Sequence, residues 1–240
     1  MTIRTITTTI YRDTERGIEY THDPIEESVM LSPIPGGFVL SYLSRDESPD
    51  APNEWENTDI FLVHYHRDFW IENERVTERL LGEWYRGEWE DNEELQQLEQ
   101  EYWIFPVAAY VHSGVVLSMG SGSHFPDQQW DVSHVGAVLV TRNKYWKNEE
   151  EAEGAAESII AEWNEYFSGD VYGIVHERLD AEKQSVEEDS VWGYYGYEYA
   201  KNECESGHKA WVEREEQKQE GVGSDDTPSV PGCVTGLMSA

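Results

Sequence analysis

His64 and His66 stand two residues apart in a β-rich run, a spacing that puts both imidazoles on one face of a strand, as two ligands of one divalent metal require. His112, His124, Asp127, Asp131 and His134 fall in segments that can approach them, and a set of imidazoles and carboxylates would suit zinc or manganese and activate a bound water. The spacing is nevertheless not that of a metal motif: there is no HExxH and no His pair one helical turn apart. His64, His66 and His112 are therefore weak metal candidates set against structural or surface histidines, and no cofactor is expected. Ser118, Ser121, Ser123 and Ser133 surround His124 and His134, but no G-x-S-x-G elbow frames a nucleophile, and Gly120 to Ser123 reads equally as a turn. Trp55 and Trp130 each precede an acid in a loop. An amphipathic indole suits an interface, although one packed beneath its own loop is the commoner case. Trp55, Trp130, Asp131 and His134 are the binding candidates.

These residues need elements to position them. Thr2 to Tyr11, Phe38 to Ser44, Asp59 to His66, Tyr102 to His112, Val115 to Met119, Val135 to Thr141, Asp170 to Leu179 and Ser190 to Tyr197 read as strands from their β-branched and aromatic content. Arg12 to Glu27 and Asp180 to Asp189 read as polar connections. Pro106 within its run argues for an edge strand or a bulge. Leu80, Leu81, Trp84 and Tyr85 fall at helical spacing in a segment from Val76 to about Gln100, interrupted by Gly82 and Gly87. The clearest helix opens after Asn148, an N-cap followed by Glu149, Glu150 and Glu151 where the helix dipole favours anions, and closes at Gly169. A polar helix spans Glu198 to Glu220.

Two stretches resemble one another about 75 residues apart. Val39-Leu40-Ser41 matches Val116-Leu117-Ser118, Trp55-Glu56 matches Trp130-Asp131, and Leu62-Val63 matches Leu139-Val140. Each copy, 38–112 and 115–179, reads as strand, tryptophan loop, strand, helix, strand; core patterning alone also generates such matches. The expected fold class is α+β, with a largely antiparallel sheet, helices packed outside it and a ββαβ duplication. Residues 1–220 then form a single domain and 221–240 a C-terminal tail.

The chain carries 49 acidic residues against 17 basic ones, a formal charge of −32, and lysine is rare. Adaptation to a salt-rich cytoplasm explains both the acid excess and the missing lysines; mimicry of DNA explains only the first. Ten tryptophans and 14 tyrosines supply burial that a disordered chain lacks. The charge disfavours direct binding to nucleic acid or to an anionic membrane surface, and no run approaches the roughly 18 apolar residues of a membrane span. Cys204 and Cys233 are too few for a disulfide framework. Between Tyr102 and Asn148 the only acids are Asp127 and Asp131, so this acid-poor centre is where a core and a site are expected.

Trp130-Asp131-Val132-Ser133-His134-Val135-Gly136 resembles a signature, Trp-Asp-Ser-Gly-Gln-Val-Gly, of a family encoded by tailed viruses and related mobile elements. Tyr110 to Gly114, Gly169 to Gly173 and Ser190 to Gly196 are similar to further motifs of that family, and the resemblance covers roughly residues 38 to 200. Val132, Ser133 and His134 depart from the signature, and Val191 stands where the family has a cysteine. The resemblance implies a context and no mechanism. The expected function is that of a non-enzymatic, protein-binding accessory protein of a virus or mobile element in a halophilic host, with an anti-defence role; the alternatives are a virion component and a metal-dependent hydrolase. The expected partner is a protein or another copy of the chain, and the expected location is the host cytoplasm or the virion.

Overall fold

The computed structural model describes residues 9–13, 18–22, 26–54, 59–71, 76–87, 92–123, 125, 131–143 and 145–222. Its backbone contacts divide the chain into two compact units, a larger one of residues 44–173 and 191–201 and a smaller one of residues 1–43, 174–190 and 202–240. The fold class is α+β. None of the described helices is long and apolar enough to cross a membrane.

The larger unit is built on a five-stranded sheet. Its strands are β5 (Ile60–His66), β6 (Phe69–Ile71), β7 (Tyr102–Val111), β8 (Val115–Met119) and β9 (Val132–Thr141), in the order β6-β5-β9-β7-β8 with antiparallel neighbours throughout. β9 is central, and Ala137, Val138, Leu139 and Val140 are all buried because both faces of the sheet are covered. That explains an unbroken apolar run where a strand with one wet face would alternate. On one face Leu62, Val107, Val138 and Val140 pack against α3 (Glu149–Ser168) through Ala152, Ala156, Ile159, Ile160 and Trp163. On the other, Val63, Ala137 and Leu139 pack against Leu80 and Leu81 of α1 (Glu78–Tyr85) and Leu95 and Leu98 of α2 (Glu93–Glu101).

The α3 caps are as the sequence predicts: the Asn148 side chain accepts from the Glu151 N–H at 2.9 Å, and Gly169 closes the helix at φ 71°. The helical segment expected from Val76 to Gln100 is instead two helices. Gly87, at φ 74°, donates its N–H to the Trp84 carbonyl and takes the left-handed conformation that ends α1, which a residue with a Cβ disfavours. Asn92 then caps α2 by accepting from the N–H groups of Glu94 and Leu95. Of the two readings of Pro106, an edge strand or a bulge, the first fails because β7 has neighbours on both sides, while a register shift against β9 does begin at the next residue, Val107. β8, however, pairs only with Val107 to Val111, and Pro106, just short of that stretch, needs no N–H there; its carbonyl accepts from Gly120.

β3 (Glu26–Ile34), β4 (Gly37–Arg45), β10 (Val171–Asp180) and β11 (Ser185–Tyr195) form a second sheet in the order β11-β10-β4-β3. In the smaller unit Leu31, Leu40 and Leu179 make one cluster, and Ile34 and Val39 meet Trp211 of α4 (Tyr197–Val222) in another. β1 (Thr9–Asp13) and β2 (Ile18–His22) pair as a separate hairpin. The stretch Arg12 to Glu27, expected as a connection, thus contains β2 and the start of β3, and the polar stretch Asp180 to Asp189 contains the start of β11. Local polarity misled in both places.

Candidate functional site

Alternation along β5 turns Leu62 and His64 toward the α3 side and Val63 and Tyr65 toward α1. His64 is wholly buried, its ring 4.2 Å from Phe69, and neither ring nitrogen has a hydrogen-bond partner among the described residues. Burial, and then the neighbouring His66, hold its pKa down to about 3, so it is a neutral imidazole. The His66 Nδ1 accepts from the Asp68 N–H at 3.1 Å. Register places His64 opposite Gly136 and Gly136 opposite Val107. His112 lies five residues beyond Val107, about 16 Å along the strand direction, so the three metal candidates do not converge. Among the described residues no group of three His, Cys, Asp or Glu side chains is placed to hold a metal.

His112 meets Asp131, with Nδ1 3.2 Å from Oδ2, at a largely exposed position, and the Asp131 carbonyl accepts from the Val111 N–H. Asp131 therefore holds the end of β7 as well as one imidazole. Trp55, Trp130 and His124 lie outside the described residues.

The fourth binding candidate is placed by an irregularity in the sheet. Val107 pairs with Gly136 and Ala108 with His134, so Val135 is one residue too many and β9 bulges. Regular alternation from Val140 and Val138 through Gly136 would send His134 to the α3 face. The bulge reverses this, and His134 lines a groove of about 480 Å³ with Tyr65 and, from α1, Glu78, Arg79, Leu81, Gly82, Tyr85 and Arg86.

The groove is braced at its floor and wall. The Tyr85 hydroxyl turns inward to donate to the Gly136 carbonyl, and burial pushes its pKa up to about 12 although the ring edge remains exposed. The Tyr65 hydroxyl donates to the Val76 carbonyl. Arg79 bonds Glu83 at 2.7 Å and Glu94 at 2.8 Å, which raises its pKa and ties α1 to α2; Asn92 also donates to Glu83 at 2.7 Å. Two guanidinium groups and an imidazole thus share the lining with one carboxylate, Glu78. The sequence marks His134 but gives no signal for Tyr65, Arg79 or Arg86, because only the packing of α1 on β5 and β9 brings them to one groove, and only the bulge aims His134 into it. Compared with family models, curated proteins and solved structures, the chain matches none.

Proposed function

We propose that this chain is a protein-binding accessory factor of a virus or mobile element in a salt-loving host, and that the groove between α1 and β9 holds an acidic segment of its partner. The observation that carries this reading is that Arg86 and His134 line one groove, with Arg79 held in its wall by Glu83 and Glu94, in a chain of net charge −32. A partner adapted to the same medium is acidic too, and two such surfaces repel except where arginine side chains line the contact. At molar salt long-range attraction is screened within about 3 Å. A guanidinium touching a carboxylate still forms a charge-assisted hydrogen bond, and its geometry adds specificity. The resemblance to a family of tailed viruses supplies the context, and the Trp130 to Gly136 signature ends on the strand that carries His134.

The test is affinity capture from the infected host in molar KCl with the wild-type chain and with Arg86→Glu and His134→Glu. Both variants are expected to lose a partner that Glu157→Arg, a change on α3 across the sheet from the groove, retains. A partner held equally by all four chains would overturn the reading.

A further inference from the structure

Helix α4 is polar over most of its surface, yet Cys204, His208, Trp211 and Glu215 recur at steps of four, three and four and are all buried. His208 lies at the middle of that stripe and bonds two serines from two strands. Its Nε2 is 2.9 Å from the Ser32 Oγ of β3, and its Nδ1 is 2.8 Å from the Ser41 Oγ of β4. Ser41 is fully buried, and its Oγ lies 2.6 Å from the Nδ1 of His176 on β10. The His176 ring in turn lies 5.6 Å from the Trp211 ring and directly under Gly207, where a Cβ would come within 2.4 Å of its Nε2. Three strands and the helix are thus joined by one chain, Ser32–His208–Ser41–His176.

Each of the three links needs one proton between its two heavy atoms. With both rings neutral this works in two ways. Ser32 donates to His208, His208 to Ser41 and Ser41 to His176; or every donor reverses. With both rings protonated, His208 fills the first two links and His176 the third. The hydroxyl hydrogen of the fully buried Ser41 then has no acceptor in the chain, and two cationic rings face one buried oxygen.

We propose that this serine–histidine chain is an acid-sensitive latch: it holds α4 on the strands of the smaller unit while the two imidazoles are neutral, and releases the helix when they take up protons. The charged group that acts on His176 is Asp189 of β11, which favours its protonation, whereas His208 is opposed by His176 itself; β3 and β4 present the two hydroxyls. Burial dominates for both rings, lowering His176 and bringing His208 down to about 4 from an ordinary 6.5. A histidine lowered in the folded state binds its proton more readily once released. The latch is therefore at full strength above pH 6.5 and weakens as pH falls from there toward 4.

Cys204, one turn before His208 on the same buried face, reports release directly. In a Cys233→Ser chain kept in molar KCl, the Cys204 thiolate attacks 4,4′-dithiodipyridine, forming a mixed disulfide and expelling thiopyridone, whose absorbance is read. After correction with a free-thiol peptide, labelling is expected to be about tenfold faster at pH 5.5 than at pH 8, the ratio that one fully responding histidine gives. His208→Gln should lose most of that ratio, and Gly207→Ala, which lifts the helix from His176, should label fast at every pH. Nitrogen NMR of the wild-type imidazoles provides a reading that needs no further variant: His208 should gain its proton in the same transition in which Cys204 becomes reactive. Cys204 protection unchanged down to pH 5, or His208 protonating while Cys204 stays protected, would overturn the proposal.

Discussion

Ala108 of β7 pairs with His134 of β9 although its neighbour Val107 pairs with Gly136, so the bulge at Val135 keeps His134 on the α1 face of the sheet, where an unbulged register of the same residues would turn it to α3. Bulges are a common means of re-aiming a side chain next to a functional site. Removing Val135 restores continuous pairing and makes His134 the neighbour of Gly136, so ordinary alternation keeps it opposite Ala108 on the α1 face. The deletion chain is expected to keep its circular dichroism spectrum in molar KCl and to keep the partner that the groove holds. Loss of the partner from a folded deletion chain would show that the aim of His134 is not what the partner reads.

Gly136, the first paired residue after the bulge, has no room for a side chain. A Cβ there would lie 2.7 Å from the His64 Cδ2 and 2.8 Å from the Val63 carbonyl oxygen, and the backbone contact cannot give way as a flexible side-chain tip would. Gly136→Ala should therefore destabilise the larger unit by about 1–3 kcal/mol, the range for overpacking a dense core. The check is the denaturant midpoint in molar KCl, and an unchanged midpoint would contradict the packing described.

His64 carries two ring nitrogens without partners in an apolar setting. An unsatisfied buried donor costs about 1–3 kcal/mol, so His64→Leu, close in volume and without polar atoms, should raise stability by about 1 kcal/mol at pH 7 after some loss of fit. The gain should grow on acidification. The folded ring holds its proton only near pH 3, the released one near 6.5, so the wild type loses stability as pH falls between these values and the variant lacks that contribution. Unfolding curves at pH 7 and 5 for both chains measure the difference; equal slopes with pH would refute the assignment of His64 as a buried neutral imidazole.

The sequence is legible where one local signal dominates. Asn148, the three glutamates after it and Gly169 mark α3 to the residue, because caps and dipole act within one turn. Val115 to Met119 is likewise β8 as read. β3 is not legible because Glu26, Glu27 and Pro33 lower its local β signal, while part of the burial that holds it, Leu31 against Leu179, comes from a strand far along the chain. The site was half legible for the same reason. His134 stands out by type, beside the Trp130-Asp131 pair. The extra residue that aims it becomes visible only once the register of β7 against β9 is known. The Ser32, Ser41, His176 and His208 chain spans 176 residues and has no sequence motif at all.

The charge of −32 makes a prediction of definite sign. Like charges on the folded surface repel over about 10 Å at 0.1 M salt and over only about 3 Å at 1 M, so added KCl removes a destabilising term. The same salt weakens the exposed attractive pairs, Arg79 with Glu94 and Lys147 with Glu151 among them, but such pairs contribute only about 0–1 kcal/mol each, and the supply of cations is 17 against 49 acids. Repulsion outweighs attraction. Each kcal/mol of repulsion removed should raise the thermal midpoint by about 2–4 °C for a chain of this size. The midpoint is expected to climb steadily from 0.1 to 2 M KCl and to climb again, by less, when choline chloride of equal ionic strength is exchanged for KCl, because carboxylates hold hydrated potassium as well as being screened by it. A flat or falling midpoint in scanning calorimetry would remove salt adaptation as the reason for the acidity.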